Sequence, residues 1–407
     1  MENLGADIFG RKDVMSGASD SYSTSMPDNN LAKIKVVGVG GGGGNAIERM
    51  IKSGLSGVEF YVMNTDRQVL DRSSVKDSNR LQLGAKLTNG LGAGGDPQIG
   101  EKAAEEAQQE ITAALEGADM VFVTAGMGGG TGTGAAPIIA KIAKDLGILT
   151  VAVVTKPFVM EGNRRMAQAN QGLEKLKDAV DSLLVIPNEK LFEVANNKTG
   201  VQNAFVIVDE VLLRGVEGIS NIITKPGLIN VDFADVKSVM QASGSAVMGI
   251  GVGEGEGRAV EAAKIAINSS LLETSIQGAS GLIVNVTGGS DMSLFEVHDA
   301  IMMIKEAVLE DAQIIIGTTI DDARQGEISI TVIATGFDLK SQPAPISVTA
   351  QKDGMLPDIG TLFKPFEIGD AFSTPATGAP VSTQSTPVSG QPKPFNTPIE
   401  IPPFLKK

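Results

Sequence analysis

Between Lys33 and about Thr224, short apolar runs alternate with amphipathic stretches. The runs at 34–37, 58–62, 120–124, 149–155 and 183–186 are built from β-branched and other apolar residues. Each closes near Gly, Pro, Asn or Asp, which is the pattern of strands buried on both faces. Stretches 100–115, 135–146 and 164–180 lie between them and predict helices. This β–α alternation predicts a doubly wound, mostly parallel α/β sheet with helices on both faces. Val201, Phe205, Val208, Leu212, Val216 and Ile219 then recur every three or four residues, which predicts one long central helix over 199–225. The pattern stops at Pro226–Gly227. A smaller mixed α/β unit follows over 226–339, with strands at 246–252, 282–286, 314–316 and 328–334 and helices near 258–269 and 294–309.

The ends read differently. Residues 1–32 are polar and aperiodic, which predicts disorder, and they hold no apolar stretch of the kind a secretory leader carries. Twelve of the 18 prolines fall between Pro343 and Pro403, among Ser, Thr, Gln and Gly, so 340–395 predicts a linker. As a random coil of about 55 residues it would span roughly 40 Å. The last stretch, 396–407, ends in IEIPPFLKK, both apolar and basic.

Composition narrows the chemistry. The chain of 407 residues carries 34 Lys+Arg against 48 Asp+Glu, a net charge of −14. That balance argues against non-specific binding to nucleic acid or to anionic lipid. No Cys is present, which excludes thiol nucleophiles, thiolate zinc and iron–sulfur sites, and the single His298 excludes any site needing two imidazoles. No window approaches the roughly 20 apolar residues of a membrane helix, so no direct membrane insertion is expected and the location reads as cytoplasmic.

The 49 glycines concentrate where chemistry is expected. Residues 38–44 (GVGGGGG) follow the first strand and precede a helix expected from Ala46. Glycine lets backbone N–H groups approach an anion, and a helix start adds a favourable dipole. The same string satisfies the dinucleotide fingerprint, with Asp66 placed as a ribose ligand after the second strand. A nicotinamide-dependent oxidoreductase is therefore a rival reading. It leaves unexplained a second cradle at 128–134 (GGGTGTG), where Thr131 and Thr133 add hydroxyl donors, and a third glycine segment at 90–97.

The string GGGTGTG resembles the signature of the tubulin/FtsZ GTPase family. Around it VGVGGGGGNA, NTD (Asn64–Asp66), VTKPF, EGNRRM, IPN, KPGLINVDFADV and the terminal IPPFLKK stand in the order found in the bacterial members of that family. The resemblance implies a GTP-binding domain over 33–198, the central helix, and a GTPase-activating domain over 226–339. It implies head-to-tail self-assembly into the bacterial division ring at mid-cell, with GTP hydrolysed between subunits. Gly41, Gly42, Gly43, Gly44 and Asn45 would hold the phosphates, as would Ala93, Gly94 and Gly95. Gly129, Gly130, Thr131, Gly132 and Thr133 would complete that set. Glu161 and Arg165 would serve the ribose side and Asn188 the sugar–base edge. Phe205 would stack on guanine while Asp209 accepts from its N1 and N2 hydrogens. Residue spacing agrees for this last pair, since positions four apart share a helix face. Glu210 departs from the Asp or Asn expected beside Asp209.

Asn230, Asp232 and Asp235 lie far from the glycine segments in sequence. By themselves such aspartates most simply cap a helix starting near Phe233. The resemblance instead carries them into the neighbouring subunit's pocket, where they would polarise a water or help hold a cation. It also implies Mg²⁺ on the phosphates, with K⁺ a further candidate. Ile401, Pro402, Phe404, Leu405 and Lys406 would dock to membrane tethers and regulators of the ring. A scaffold that binds nucleotide without hydrolysing it is the remaining alternative.

Overall fold

The computed structural model describes residues 32–191, 201–224, 229, 231–269 and 275–337. The expected N-terminal segment up to residue 31, the linker, the terminal peptide with Ile401, Pro402, Phe404, Leu405 and Lys406, and also Asn230, lie outside the described residues.

The expected strands all form, and each extends past its apolar run: β1 (Ile34–Val39), β2 (Val58–Asn64), β4 (Met120–Gly126), β5 (Leu149–Lys156) and β6 (Ser182–Pro187). A short β3 (Arg80–Gln82), which is too brief to show a period, completes the edge. The order β3-β2-β1-β4-β5-β6 is parallel throughout. Chain direction across the sheet therefore reverses between β1 and β4, which leaves a crevice outside their carboxyl ends.

Helices differ more from expectation. The apolar spacing alone suggested that α1 begins at Ala46, yet it spans Gly40–Lys52, so most of the first glycine run is helical. The expected single helix over 100–115 is two, α4 (Pro97–Glu106) and α5 (Gln108–Leu115), broken at Ala107. Short α2 (Arg67–Asp71) and α3 (Ala85–Thr88) precede them. Next come α6 (Thr131–Asp145), which takes in the end of the second glycine string, and α7 (Asn163–Ala179).

The central helix is α8 (Val201–Thr224), followed by α9 (Phe233–Met240). The second unit has β7 (Gly244–Glu254), α10 (Arg258–Ile267), β8 (Gly281–Gly288), α11 (Leu294–Glu306), β9 (Gln313–Ile320) and β10 (Glu327–Thr335). It is not a separate layer. β7 pairs with β6 through Ser182–Gly244, Leu183–Ser245 and Leu184–Ala246, so one ten-stranded sheet runs on through β7-β10-β8-β9.

The core follows from that continuity. On one face Ile47 and Met50 of α1 join Val216 and Ile219 of α8, Val236 of α9, and Ile283, Ile315 and Ile333 of the later strands in one buried cluster. The other face is closed by residues such as Ala103, Ile111, Ile139 and Leu176 from α4 to α7. α8 therefore binds both halves of the sheet. Its apolar stripe departs from expectation at Phe205, which is 44% exposed and does not enter the core.

Truncating a fully buried aliphatic chain costs both transfer energy and a cavity. Ile219→Ala should lower stability by about 3 kcal/mol. A denaturant titration with probes in both halves of the sheet should report a single shifted transition.

Candidate functional site

The crevice predicted by the strand order holds a cavity of about 380 Å³. Its floor is made by two helix starts. α1 leaves β1 at Gly40, and α6 leaves β4 after a turn through Gly128–Gly130. The two backbones touch here: a Cβ placed on Gly40 would lie 2.9 Å from Gly132 N, and Gly40 has a φ of +70°. Both demands exclude a side chain at that point. Two positive dipole ends with unpaired N–H groups therefore converge on one volume, which is an anion site by construction. Gly41, Gly42, Asn45, Gly129, Gly130, Thr131 and Gly132 line it.

The surrounding shell fixes these turns. Thr131 Oγ1 is bonded to Thr65 Oγ1 at 2.7 Å in buried surroundings. The Thr133 hydroxyl accepts from Gly128 N at 2.7 Å, so Thr133 shapes the turn and does not face the cavity. Gly43 faces away too, since a Cβ there would meet Thr124 O at 2.3 Å. Gly44 lines a neighbouring hollow against α2. Ala93 is buried and packs over Gly130, where a Cβ would meet it at 2.8 Å. Gly94 and Gly95 are exposed beside it, outside the cavity lining.

The far wall is different in character. Phe205, Val208, Asp209 and Leu212 come from α8. Phe205 meets Phe158 edge to face, with ring centroids 5.6 Å apart, so an aromatic surface is held without being buried. Asn188 follows β6, and its side-chain Oδ1 is buried with no protein partner among the described residues. An orphaned buried acceptor is costly unless a ligand donor satisfies it. Glu161 and Arg165 form an ion pair at the rim, and Glu161 Oε1 also accepts from Phe158 N at 3.0 Å.

The lining also includes Gly126, Met127, Thr155 and Pro157, to which sequence pattern alone assigns no role. They sit at or just past the carboxyl ends of β4 and β5. Extending those strands by two residues would have placed them at the crevice.

Two family models match the chain. The GTPase domain of the tubulin/FtsZ family matches residues 33–196, and the C-terminal domain of the FtsZ family matches residues 244–338. Among solved structures, the empty FtsZ dimer of M. jannaschii is 48% identical, covering 76% of this chain and 90% of that one with a TM-score of 0.73. A tryptophan-to-tyrosine mutant of the M. jannaschii FtsZ is 49% identical, over 75% and 92% of the two chains, with a TM-score of 0.72. CetZ2 from Haloferax volcanii, solved as a GTPγS-bound protofilament, shares the fold at 23% identity over 74% and 92%, with a TM-score of 0.63.

The chain belongs to the tubulin/FtsZ family. As an FtsZ-type member it is a GTPase, with GTP and GDP as its ligands. The oxidoreductase and the non-hydrolysing scaffold both fall with that finding. The geometry agrees, because Asp66 does not line the cavity, and its Oδ1 caps α2 by accepting from Gln68 N at 2.9 Å. Among the described residues no helix is long and apolar enough to cross a membrane, and no cluster of His, Cys, Asp or Glu is placed to hold a metal ion.

Asp232 and Asp235 do not line this cavity. Asp232 caps α9, with Oδ1 accepting from Asp235 N at 2.8 Å, and Asp235 is exposed beside it. Glu210 is likewise outside the lining and turns toward Arg49 and Arg214.

Burial pushes the Asp209 carboxyl up to about 6, against the opposing pull of the Arg49 guanidinium. A raised carboxyl favours the ligand-free fold below its ordinary value near 3.8, and that contribution is lost as pH rises through about 6. Asp209→Asn should therefore stabilise the nucleotide-free protein at pH 7.5 by about 1 kcal/mol, a figure reduced for the residue's partial exposure, and should leave it unchanged at pH 3.5. Thermal melts at the two pH values check this.

Neighbouring glycines separate fold from site. A Cβ on Gly41 meets nothing within 4 Å, whereas one on Gly43 strikes Thr124 O. Gly41→Ala should fold normally but lose GDP affinity about tenfold or more, because the methyl enters the cavity. Gly43→Ala should destabilise the chain by about 3 kcal/mol. Calorimetric titration and denaturant unfolding of both variants test the contrast.

Proposed function

We propose that the chain is a self-polymerising cytoskeletal GTPase of the division ring, and that each hydrolytic site is completed by a second copy. The observation that carries this reading is a division of labour. The cavity gathers anion-binding amides, an aromatic wall and an acceptor carboxylate, while the aspartates at the start of α9 stand outside it.

In this reading the triphosphate lies across the starts of α1 and α6, in contact with Gly41, Gly42, Asn45 and Gly129–Gly132. Gly43, Gly44 and Thr133 support the turns, and Ala93, Gly94 and Gly95 close over the terminal phosphate from the third glycine segment. Glu161 and Arg165 flank the ribose. Phe205 stacks on the base, Asn188 satisfies its orphaned oxygen at the sugar–base edge, and Asp209 accepts from the N1 and N2 hydrogens of guanine. Adenine presents an acceptor at N1, so a carboxylate there selects against it. Holding the phosphates in fixed dipoles is most of what phosphoryl transfer asks of a protein.

Asp232 and Asp235, with Asn230 beside them, would enter the next copy's cavity and orient the attacking water. Bound Mg²⁺ would neutralise charge on the phosphate oxygens, held mainly by the nucleotide because the cavity offers backbone amides and hydroxyls. K⁺ is a further candidate at the same interface. The contact is heterologous, so repetition yields an open filament. The protofilament of CetZ2 supports that mode of assembly. The terminal peptide, through Ile401, Pro402, Phe404, Leu405 and Lys406, would tie the filament to acidic grooves of tethers and regulators. The protein would then act in the cytoplasm at mid-cell.

The specific rate of phosphate release should rise with protein concentration. Asp235→Asn should lower kcat by about 100-fold or more while GTP binding persists. Mixing that variant with Gly41→Ala should recover part of the activity, since the first supplies an intact cavity and the second intact aspartates. A rate independent of concentration, together with no recovery on mixing, would sink the shared-site reading.

A further inference from the structure

Beside the cavity, charged side chains run in line from α1 to the middle of α8. Glu210 Oε2 accepts from Arg49 Nε at 3.3 Å, and Glu210 Oε1 pairs with Arg214 Nη2 at 3.0 Å. Arg214 in turn holds Glu217 Oε2 at 3.0 Å. These side chains are between about a quarter and two-fifths exposed, so each pair is partly shielded from water. Arg49 lies one helical turn beyond Asn45, which lines the cavity, and Asp209, which also lines it, directly precedes Glu210. The Arg49 charge reaches Asp209, yet Arg49 makes its hydrogen bond to Glu210.

An arginine near two adjacent carboxylates can satisfy either. A guanidinium on Asp209 would take up the lone pairs that guanine's donors need. A site whose acceptor is tied up in a fraction of molecules loses affinity by that fraction. Glutamate is suited to prevent this. It is longer than aspartate by one methylene, carries a charge that asparagine lacks, and here spans two guanidinium groups on different helices.

We propose that Glu210 is a positioning residue for base recognition: by keeping Arg49 on its own carboxylate, it leaves the Asp209 oxygens free for the N–H donors of guanine. The proposal rests on Asp209 as the base acceptor, as argued above. It gives a physical role to a residue at which this chain departs from the pattern it otherwise resembles. The charged groups around Asp209 are Arg49 from α1, Glu210 on its own helix, and the Glu161–Arg165 pair across the cavity. Of these, only the Arg49 charge draws the Asp209 carboxyl down, and burial outweighs it in the arrangement seen. A direct Asp209–Arg49 pair would reverse that balance.

Titration of the full chain with fluorescent GDP tests the proposal through four variants. Glu210→Ala should weaken GDP binding roughly five- to tenfold as Arg49 moves onto Asp209. The pH below which affinity falls should also move lower than in the parent chain, a displacement that a merely structural defect would not produce. Adding Arg49→Ala to the same chain should restore affinity to within about twofold of Arg49→Ala alone, because the competitor is gone. Unchanged affinity in Glu210→Ala, or no recovery in the double variant, would overturn the role of Glu210. Asp209→Ala, which removes the acceptor, separates the two layers of argument. If it leaves GDP affinity intact, the base reading itself fails and this proposal with it. If it weakens binding while Glu210→Ala does not, only the proposal for Glu210 falls.

Discussion

Two helix starts forced into contact at the reversal point of a parallel sheet set the terms for the rest of this molecule. α1 and α6 begin where β1 and β4 end, and their first turns touch at Gly40 and Gly132. Partial positive charge from both accumulates in one crevice, so a polyanion completes the electrostatics of the fold. The close approach tolerates no side chain, which is why glycine recurs here. Thr65, Thr131 and Thr133 then spend their hydroxyls on holding the turns.

α8 links that crevice to the remainder of the chain. Its buried stripe packs on strands from both halves of the ten-stranded sheet, while its first turns supply the aromatic and acidic wall of the cavity. One element thus packs the core along its length and lines the cavity toward one end. The ion pairs from Arg49 of α1 through Glu210 to Arg214 and Glu217 run onto the same helix.

Much of this was legible in the chain, but unevenly. Every long strand announced itself, because buried parallel strands need continuous apolar runs and few other elements do. Of the expected pocket residues, Gly41, Gly42, Asn45, Gly129, Gly130, Thr131, Gly132, Glu161, Arg165, Asn188, Phe205 and Asp209 meet in one cavity. Gly43, Gly44, Ala93, Gly94, Gly95 and Thr133 stand just outside it. The motif marks a segment, while the direction each residue faces depends on where the helix starts. Glycine hides helix starts: α1 opens at Gly40, inside a run that propensity alone assigns to a loop. Asp66 shows the converse, since a cap and a ligand look alike until the next backbone N–H is located.

By itself the sequence determined the layer architecture, the anion-binding character of the glycine segments and the family. Each rests on local pattern: apolar runs, backbone freedom, and ordered motifs. Only the tertiary structure decided that the second unit continues the same sheet, that Phe205 leaves the apolar stripe to face the cavity, and that Glu210 pairs with Arg49. Those outcomes depend on contacts between residues distant in the chain, and a competition for one guanidinium is settled by three-dimensional reach, which no spacing along the sequence records.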